Sequence, residues 1–354
     1  MNIPRETTSE ILRDACRAPS GDNAQPWRFA VKKNVIRVMN VPEKDDSLFN
    51  YRQMTNYVAL GACVENIRIS AEGRVFRTKV QLFPEPTNPL VVAEVELMLD
   101  VSVKNELARY ITKRVTNRKP YHSKAIEPEK LNTLAALAKD IGGRIVFITD
   151  KEKIKEIACS VSAGEKLAIE NRSIHDFLFK HVTWTKKEDD KEHGFYIDTF
   201  EFNPVQRIAF RIFSNWNILN FFLPLGVSNL VANDAEKLHA TAAAFGAIVF
   251  PKGVTEDYLK VGVLLERVWL AATSLDLSLQ PTTTVHFIGA RVLSGDPGDL
   301  SAPHQELLKS RLSQLLNQFN VLENERITFI FRLGYGDPPS GITSRFAPEV
   351  VFED

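Results

Sequence analysis

Two long apolar helices with matching sequences constrain the fold of this chain more than any other feature. Apolar periodicity predicts one helix over about residues 53–72 and another over 255–273. The matched residues are Tyr57, Gly61 and Glu65 in the first helix and Tyr258, Gly262 and Glu266 in the second. Glycine inside a helix costs roughly 1 kcal/mol relative to alanine, so its recurrence indicates close helix–helix contact. The repeat predicts two copies of one unit about a pseudo-twofold axis. The alternative is chance similarity between two apolar helices.

The remaining pattern predicts an α+β fold, with an antiparallel-rich sheet in each half and the two long helices at the centre. Gly73 is the expected C-cap of the first long helix, and a second unit begins near Lys104. The other predicted elements are helices at 9–18, 104–113, 128–139, 151–162 and 304–318, and strands at 27–32, 35–40, 75–83, 91–99, 144–149, 245–250 and 326–333.

Composition excludes several classes of function. Basic and acidic residues balance at 44 each, so no overall field favours nucleic acid or anionic lipid. The three cysteines, Cys16, Cys63 and Cys159, have no metal-type spacing and indicate a reduced compartment. No run approaches the roughly 20 apolar residues of a membrane span, and the N-terminus lacks an apolar signal core. We therefore expect a cytoplasmic protein with no metal, no nucleic-acid partner and no membrane partner.

Residues 165–230 interrupt the repeat. They contain a charged run, Lys186–Glu192, and an aromatic stretch from Phe195 to Phe222 that predicts an inserted helical hairpin. This stretch is either additional core or a lid over a ligand pocket.

A polar turn between a helix and a strand is the first candidate binding element. Residues 17–27 read Arg-Ala-Pro-Ser-Gly-Asp-Asn-Ala-Gln-Pro-Trp. Such a turn leaves backbone N–H groups free beside an Asn amide and a Ser hydroxyl, which suits a planar polar ligand. The candidate ligand residues here are Arg17, Pro19, Ser20, Gly21, Asn23 and Gln25.

A local cationic patch is the second candidate element. Arg114, Thr116 and Arg118 alternate, so an extended loop points them the same way. Two guanidinium forks and a hydroxyl suit a phosphate. The alternative is a solvated basic loop.

Other catalytic signatures are absent from the sequence. There is no Gly-rich dinucleotide fingerprint, no Gly-x-Ser-x-Gly elbow and no His-Glu-x-x-His. The seven histidines are scattered, and we interpret them as surface or lid residues. Glu65 and Glu266 are expected either to face solvent or to pair between the halves, rather than to act as buried acids.

The polar turn resembles the flavin-binding loop of the nitroreductase family, Ala-Pro-Ser followed by Asn-x-Gln-Pro-Trp. Arg114-Val-Thr-Asn-Arg118 is similar to the Arg-x-Ser-x-Arg motif that holds the flavin phosphate in that family, with Thr116 in place of Ser. The family motif precedes the loop and acts from the other subunit of a homodimer, whereas here it follows the loop. The resemblance therefore implies one chain with both halves: residues 1–102 as a truncated first half and 103–354 as the second, with 165–230 as the lid insertion. It also implies one flavin site per chain.

The same resemblance implies the other site residues. Arg345 is similar to the family's terminal Arg, a phosphate or ribityl ligand. Gln280, Pro281 and Thr282 fall where the family offers backbone N–H groups to the isoalloxazine edge; the alternative for this segment is an ordinary strand-end turn. The fused order and the insertion are most similar to the Acg branch of the nitroreductase superfamily, and Gly21-Asp22 departs from the bulkier pair usual there.

The resemblance implies an FMN-binding, nitroreductase-like oxidoreductase that passes electrons through flavin N5 to an unknown acceptor. No side chain need act as acid or base, because the cofactor carries the chemistry. The alternatives are a non-catalytic, flavin-sequestering protein with a closed lid and a scaffold without flavin. The expected partner is a small-molecule electron acceptor or none. The expected assembly is a pseudo-dimeric monomer, and a further homodimer is left open.

Overall fold

The computed structural model describes residues 3–353. The helices are α1 (Arg5–Ala15), α2 (Met54–Glu72), α3 (Pro128–Ala136), α4 (Lys151–Val161), α5 (Ala163–Glu170), α6 (Arg172–Lys180), α7 (Lys186–Asp189), α8 (Pro204–Phe213), α9 (Trp216–Phe222), α10 (Val227–His239), α11 (Asp257–Ser274), α12 (Thr284–Leu293) and α13 (Ala302–Gln318). The strands are β1 (Trp27–Lys32), β2 (Val35–Asn40), β3 (Phe76–Leu82), β4 (Val91–Leu99), β5 (Arg144–Ile148), β6 (Val182–Thr183), β7 (Phe195–Tyr196), β8 (Ala244–Pro251), β9 (Ser278–Pro281), β10 (Glu325–Gly334) and β11 (Val350–Glu353).

The predicted α+β class is confirmed. A five-stranded sheet has the order β11-β1-β2-β4-β3, and a four-stranded sheet has the order β5-β8-β10-β9. All neighbours in both sheets are antiparallel except β1 and β11, which are parallel. Strands β6 and β7 form a separate short parallel pair.

The long helices α2 and α11 pack against each other at the centre of the main core. A Cβ added to Gly61 would lie 1.9 Å from the Leu259 carbonyl oxygen, and one added to Gly262 would lie 1.9 Å from that of Val58. The close contact predicted from the two mid-helix glycines is therefore confirmed. The division into halves at residue 102 stays a prediction.

Some predicted elements differ from the structure. Helix α1 begins directly after Pro4 and ends at Ala15 instead of spanning 9–18; proline suits the start of a helix, and residue 18 precedes Pro19, which disfavours the helical region there. The helix predicted over 104–113 is wrong, because only a 3₁₀ turn, Glu106–Tyr110, forms. Its apolar residues pack on Ile69 and Leu270 of the long helices, so a short turn already buries them.

Several helices and the short edge strand β11 were not predicted, whereas β9 lies at the β-rich segment expected near residues 275–280. Residues 195–222 contain α8 and α9, so the aromatic stretch is helical as predicted. The interpretation of the histidines is wrong for His239 and His286, which are buried outside residues 165–230. His286 Nε2 lies 3.1 Å from the Thr328 carbonyl oxygen, which meets its polar requirement inside the core.

Candidate functional site

The polar turn between α1 and β1 has an unusual backbone. Asp22, Asn23 and Gln25 all have φ between +49° and +56°. Asp and Asn tolerate this left-handed region, whereas Gln25 pays about 1–3 kcal/mol of strain. The Ser20 hydroxyl accepts a hydrogen bond from the Gln25 backbone N–H at 3.1 Å, and the buried Trp27 anchors the following strand. The turn is thus held in a shape that an unconstrained loop would not adopt.

Most of the predicted site residues line one cavity of about 350 Å³. They are Arg17, Pro19, Ser20, Gly21, Asn23, Arg114, Thr116, Arg118, Gln280, Pro281, Thr282 and Arg345. The exception is Gln25, whose side-chain Oε1 accepts a hydrogen bond from the Phe346 backbone N–H at 3.1 Å. Gln25 therefore ties the turn to the C-terminal tail instead of lining the cavity. The role of all these residues as flavin ligands stays a prediction.

Strand pairing explains how distant segments meet at this cavity. Thr116 forms a parallel bridge with Leu279, which sets the Arg114–Arg118 segment beside β9. Strand β11 pairs with β1, so the tail that precedes β11 runs past the polar turn. There Arg345 Nη1 donates to Asn23 Oδ1 at 2.5 Å.

Three arginines converge on one wall, and we call Arg17, Arg114 and Arg345 the arginine cluster. Arg114 is buried; its Nη2 donates to the Arg17 carbonyl oxygen at 2.6 Å, and its guanidinium lies 4.5 Å from the Trp269 ring centre. Burial and the charges of Arg114 and Arg17 lower the pKa of Arg345 to about 9. Repulsion from neighbouring arginines thus adds to the effect of burial on the pKa of Arg345.

One acid contacts the arginine cluster. Arg114 Nε lies 3.1 Å from Glu266 Oε1, and both side chains are almost fully buried. Burial raises the pKa of Glu266 to about 7 despite the opposing charge of Arg114. Among residues 3–353, neither Arg17 nor Arg345 forms an ion pair within 4.0 Å. The cluster therefore carries more positive charge than its surroundings neutralise.

The two helix acids have different surroundings. Glu65 lies on α2 and bonds to Arg68 at 2.6 Å and to Arg267 of α11 at 2.8 Å. This is the pairing between halves that the sequence analysis expected. Both acids are nevertheless buried, which was not expected, and Glu266 pairs with Arg114 of the cationic patch instead of with the other long helix.

Arg118 lines the same cavity as the arginine cluster and lies against the 165–230 segment. Its Nη1 donates to the Thr199 carbonyl oxygen at 3.3 Å, and its guanidinium lies 5.8 Å from the ring centres of Phe195 and Phe200. Burial and the charge of Arg332 lower the pKa of Arg118 to about 10. Arg118 thus contacts residues 195–200 of the predicted lid.

The backbone N–H groups expected from the Gln280–Thr282 segment are not all free to bind a ligand. Pro281 has no N–H, and the N–H of Thr282 donates to the Ile330 carbonyl oxygen at 2.9 Å. The expectation of a free backbone N–H is therefore wrong at these two residues. The Thr282 hydroxyl is buried and has no hydrogen-bond partner in the described structure, so the side chain is the donor that this residue offers. Gln280 Oε1 accepts a hydrogen bond from Arg332 Nε at 2.6 Å.

Three carboxylates in the cavity wall, those of Asp22, Asp45 and Glu165, were not predicted. Asp22 and Asp45 both line the cavity, and they also line a smaller adjoining one. Burial and the charge of Asp45 raise the pKa of Asp22 to about 7, against the lowering effect of Arg118. Asp45 could not be found from the sequence because it lies between unremarkable residues. Asp22 was visible only as a departure from the family pattern.

The 165–230 segment closes one side of the cavity. Its lining residues are Gly164–Glu165 at its edge and Ala168, Ile174, Phe177, Leu178, Phe195, Thr199 and Phe200 within it. It is fastened to the C-terminal tail at two points. The Ser340 hydroxyl donates to Glu201 Oε2 at 2.6 Å, and Lys186 Nζ donates to the Ser344 hydroxyl at 2.6 Å.

The described part of the chain has neither a metal-binding cluster nor a membrane-spanning helix. No group of three or more His, Cys, Asp or Glu residues within 3–353 is arranged to hold a metal ion. In the same part of the chain, no helix has the length and apolar character needed to cross a bilayer.

Comparisons with known proteins give two informative relatives and no matching family model. An uncharacterised protein of Mycobacterium tuberculosis strain CDC 1551 is 24% identical over 349 residues, which are 97% of this chain and 47% of the relative. The candidate NAD(P)H nitroreductase Acg of the same strain is 25% identical over 185 residues, 49% of this chain and 54% of that protein. Over about half of its length the chain is thus similar to Acg, a protein whose name describes a nitroreductase. The chain spans about half the length of the curated relatives it matches.

Solved structures include a nitroreductase with bound FMN from Bacteroides fragilis NCTC 9343. That protein is 13% identical, with 69% of this chain and 95% of the other chain covered and a TM-score of 0.37.

Proposed function

We propose that the large cavity holds FMN and that this chain is a flavin-dependent, nitroreductase-like oxidoreductase. The observation that carries the proposal is the arginine cluster, which has a single acidic contact, Glu266. A buried positive charge without a partner is costly. A phosphate monoester would neutralise the excess charge and accept several charge-assisted hydrogen bonds.

The residues present fit FMN. Thr282 Oγ1 and Arg345 Nε are buried in the cavity walls and have no hydrogen-bond partner in the described chain. These orphaned donors suit a ligand with several acceptors. We propose that the arginine cluster holds the phosphate, with Thr116 and Arg118 completing the set as the motif predicts.

The other walls suit the rest of the cofactor. Pro19, Ser20, Gly21 and Asn23 would contact the ring and ribityl chain, and Gln280–Thr282 the edge of the isoalloxazine. When bound, FMN would supply hydride transfer at N5 between a donor and an acceptor. The chain's own residues would orient the cofactor and exclude water. Water would be excluded by Phe177, Phe195 and Phe200 of the 165–230 segment, which line the cavity.

A flavin-sequestering protein is the second candidate function. It is favoured by the contacts that fasten the 165–230 segment to the tail, Ser340 with Glu201 and Lys186 with Ser344. A cavity closed in this way would leave a nicotinamide no place to stack on the flavin.

One experiment tests both functions. The absorption spectrum of the purified protein, before and after incubation with FMN and removal of excess ligand, reports whether flavin is held. Protein that stays colourless would contradict both. Anaerobic addition of NADH and of NADPH to the yellow protein then separates them. Rapid bleaching supports the oxidoreductase, whereas reduction by dithionite alone supports sequestration.

A further inference from the structure

The outer side of residues 204–230 exposes an uncovered apolar surface. Eight of the 17 large apolar side chains that are exposed in the described chain lie in this short segment. They are Val205, Ile208, Ile212, Ile218, Phe221, Phe222, Leu225 and Leu230. We call this set the outer apolar surface.

Helix α8 has apolar side chains on two faces, one packed on the protein and the other exposed. Val205, Ile208 and Ile212 are spaced by three and four residues, so they form one stripe, and it faces outward. Phe210 faces the other way, with its ring centre 5.3 Å from that of Phe200 and 4.6 Å from that of Phe179. The fold therefore uses the inner side of α8 and leaves the outer stripe without a partner. Helix α9 packs beside α8 and continues the surface.

The extent of this surface fits a protein–protein contact. The eight side chains are between 38% and 76% exposed. Taking about 200 Å² for a side chain of this size when fully exposed, they present on the order of 900 Å². Monomers ordinarily expose contiguous apolar patches of only about 300–600 Å². A stable interface buries about 800 Å² on each partner.

The charge pattern favours a second copy over a lipid surface. The 32 residues from Phe202 to Asn233 contain two charged side chains, Arg207 and Arg211. Arg207 is paired with Asp198 at 2.6 Å, and the Arg211 guanidinium lies 5.1 Å from the Trp184 ring centre. Two copies of so weakly charged a surface would not repel each other. Helices that bind membranes carry many Lys and Arg on the polar face, and this segment lacks them.

We propose that the outer apolar surface binds the same surface of a second copy of this chain across a twofold axis. The contact would be isologous, since each copy offers the same patch. It is a different contact from the seam between α2 and α11, which lies inside one chain. The proposal does not depend on the identity of any bound cofactor.

Sedimentation-velocity ultracentrifugation between 0.5 and 100 µM (concentrations chosen to bracket typical dimer affinities) tests this proposal. The full chain is compared with Ile208→Lys/Phe221→Lys and with the matched control Leu322→Lys, since Leu322 is also exposed but lies far along the chain. We expect a concentration-dependent dimer for the wild type and the control. The double variant should raise the dissociation constant by about 100-fold or more. Circular dichroism checks that each variant is folded.

A second measurement does not depend on any variant. Hydrogen exchange at the two ends of the concentration range should show added protection in residues 204–230 only. A wild type that stays monomeric at 100 µM, or a double variant that dimerises as well as the wild type, would overturn the proposal. Flotation of the monomer with phosphatidylglycerol vesicles would overturn it in favour of a lipid partner.

Discussion

The charge balance around a few buried side chains decides what the cavity can hold. Arg114 has only Glu266 as an acidic contact, and the burial of Glu266 raises its pKa to about 7. Near neutral pH the Glu266 carboxyl is therefore partly protonated, so it neutralises less of the positive charge of the arginines. Because an ionised group out of water needs a counter-charge, these residues favour an anionic ligand.

Removing one guanidinium should weaken FMN binding. Each charge-assisted hydrogen bond contributes about 1.5–3 kcal/mol, so Arg114→Ala should raise the dissociation constant for FMN by roughly 10- to 150-fold. Fluorescence titration with FMN measures this. The control is Arg109→Ala, an exposed arginine paired with Glu106, and its affinity should match the wild type. Equal affinity in both variants would rule out Arg114 as a phosphate ligand.

Asp22 should give the stability of the ligand-free protein a specific pH dependence. Its pKa rises from 3.8 to about 7 on folding, so the native state binds more protons than the unfolded state between those values. The free energy of unfolding must then fall as pH rises through this window and level off above about pH 7.

Urea unfolding at several pH values isolates this effect. Asp22→Asn stays neutral, so the stability of the wild type relative to this variant should decrease from pH 5 to pH 8. Asp234→Asn, on the exposed side of α10, serves as the control and should keep a constant difference. A constant difference for Asp22→Asn as well would show that Asp22 does not titrate in this range.

At the scale of elements, the crossing of α2 and α11 sets the geometry of the core. The two helix backbones approach so closely that Gly61 and Gly262 leave no room for a Cβ. Glu266, on α11, contacts Arg114, which lines the cavity. The same helix sends Arg267 across to Glu65 of α2. The crossing thus links the stability of the core to the position of the site.

Filling the crossing should destabilise the protein. In Gly61→Ala the new methyl would meet backbone atoms at 1.9 Å, and overpacking of this kind costs about 1–3 kcal/mol or more. Gly289→Ala is the matched control, because its methyl would meet only the flexible end of Leu312, at 3.1 Å, and alanine favours the helix. Urea midpoints measure both. A Gly61→Ala variant as stable as the wild type would contradict the crossing geometry.

At the scale of the whole molecule, the matching glutamates of the two long helices, Glu65 and Glu266, have different surroundings. Glu266 contacts Arg114 of the arginine cluster, whereas Glu65 is paired with Arg68 and Arg267. The charges around Glu65 are therefore satisfied within the protein, and no excess positive charge remains there for an anion.

This asymmetry predicts one FMN per chain. Titration followed by the absorbance of the bound flavin should saturate at one equivalent, because the wall beside Glu266 has arginines without an acidic partner in the described chain, whereas the arginines around Glu65 are paired with carboxylates. The sedimentation experiment supplies the number of chains, so the ratio is independent of assembly. Saturation at two equivalents per chain would show that the Glu65 side also binds.

Local sequence pattern specifies several parts of this protein, which could therefore be predicted from the sequence. They are the two long helices, the strands within residues 27–40 and 76–99, and the two candidate motifs. Periodicity predicted α2 and α11, the recurring glycine predicted their close approach, and residue types marked the polar turn and the cationic patch. The predicted helix at 104–113 failed because packing on Ile69 and Leu270 requires only a short turn there.

Tertiary structure alone decided how distant charges were distributed. Whether Arg114 met Glu266, whether Arg118 joined the arginine cluster and whether Asp22 approached Asp45 depended on strand pairing and on the helix crossing. Sequence spacing carries no information about burial or about the sign of a neighbour brought from a hundred residues away. Burial and charge set the ionisation of these groups, so the chemistry of the cavity was fixed only when the chain folded.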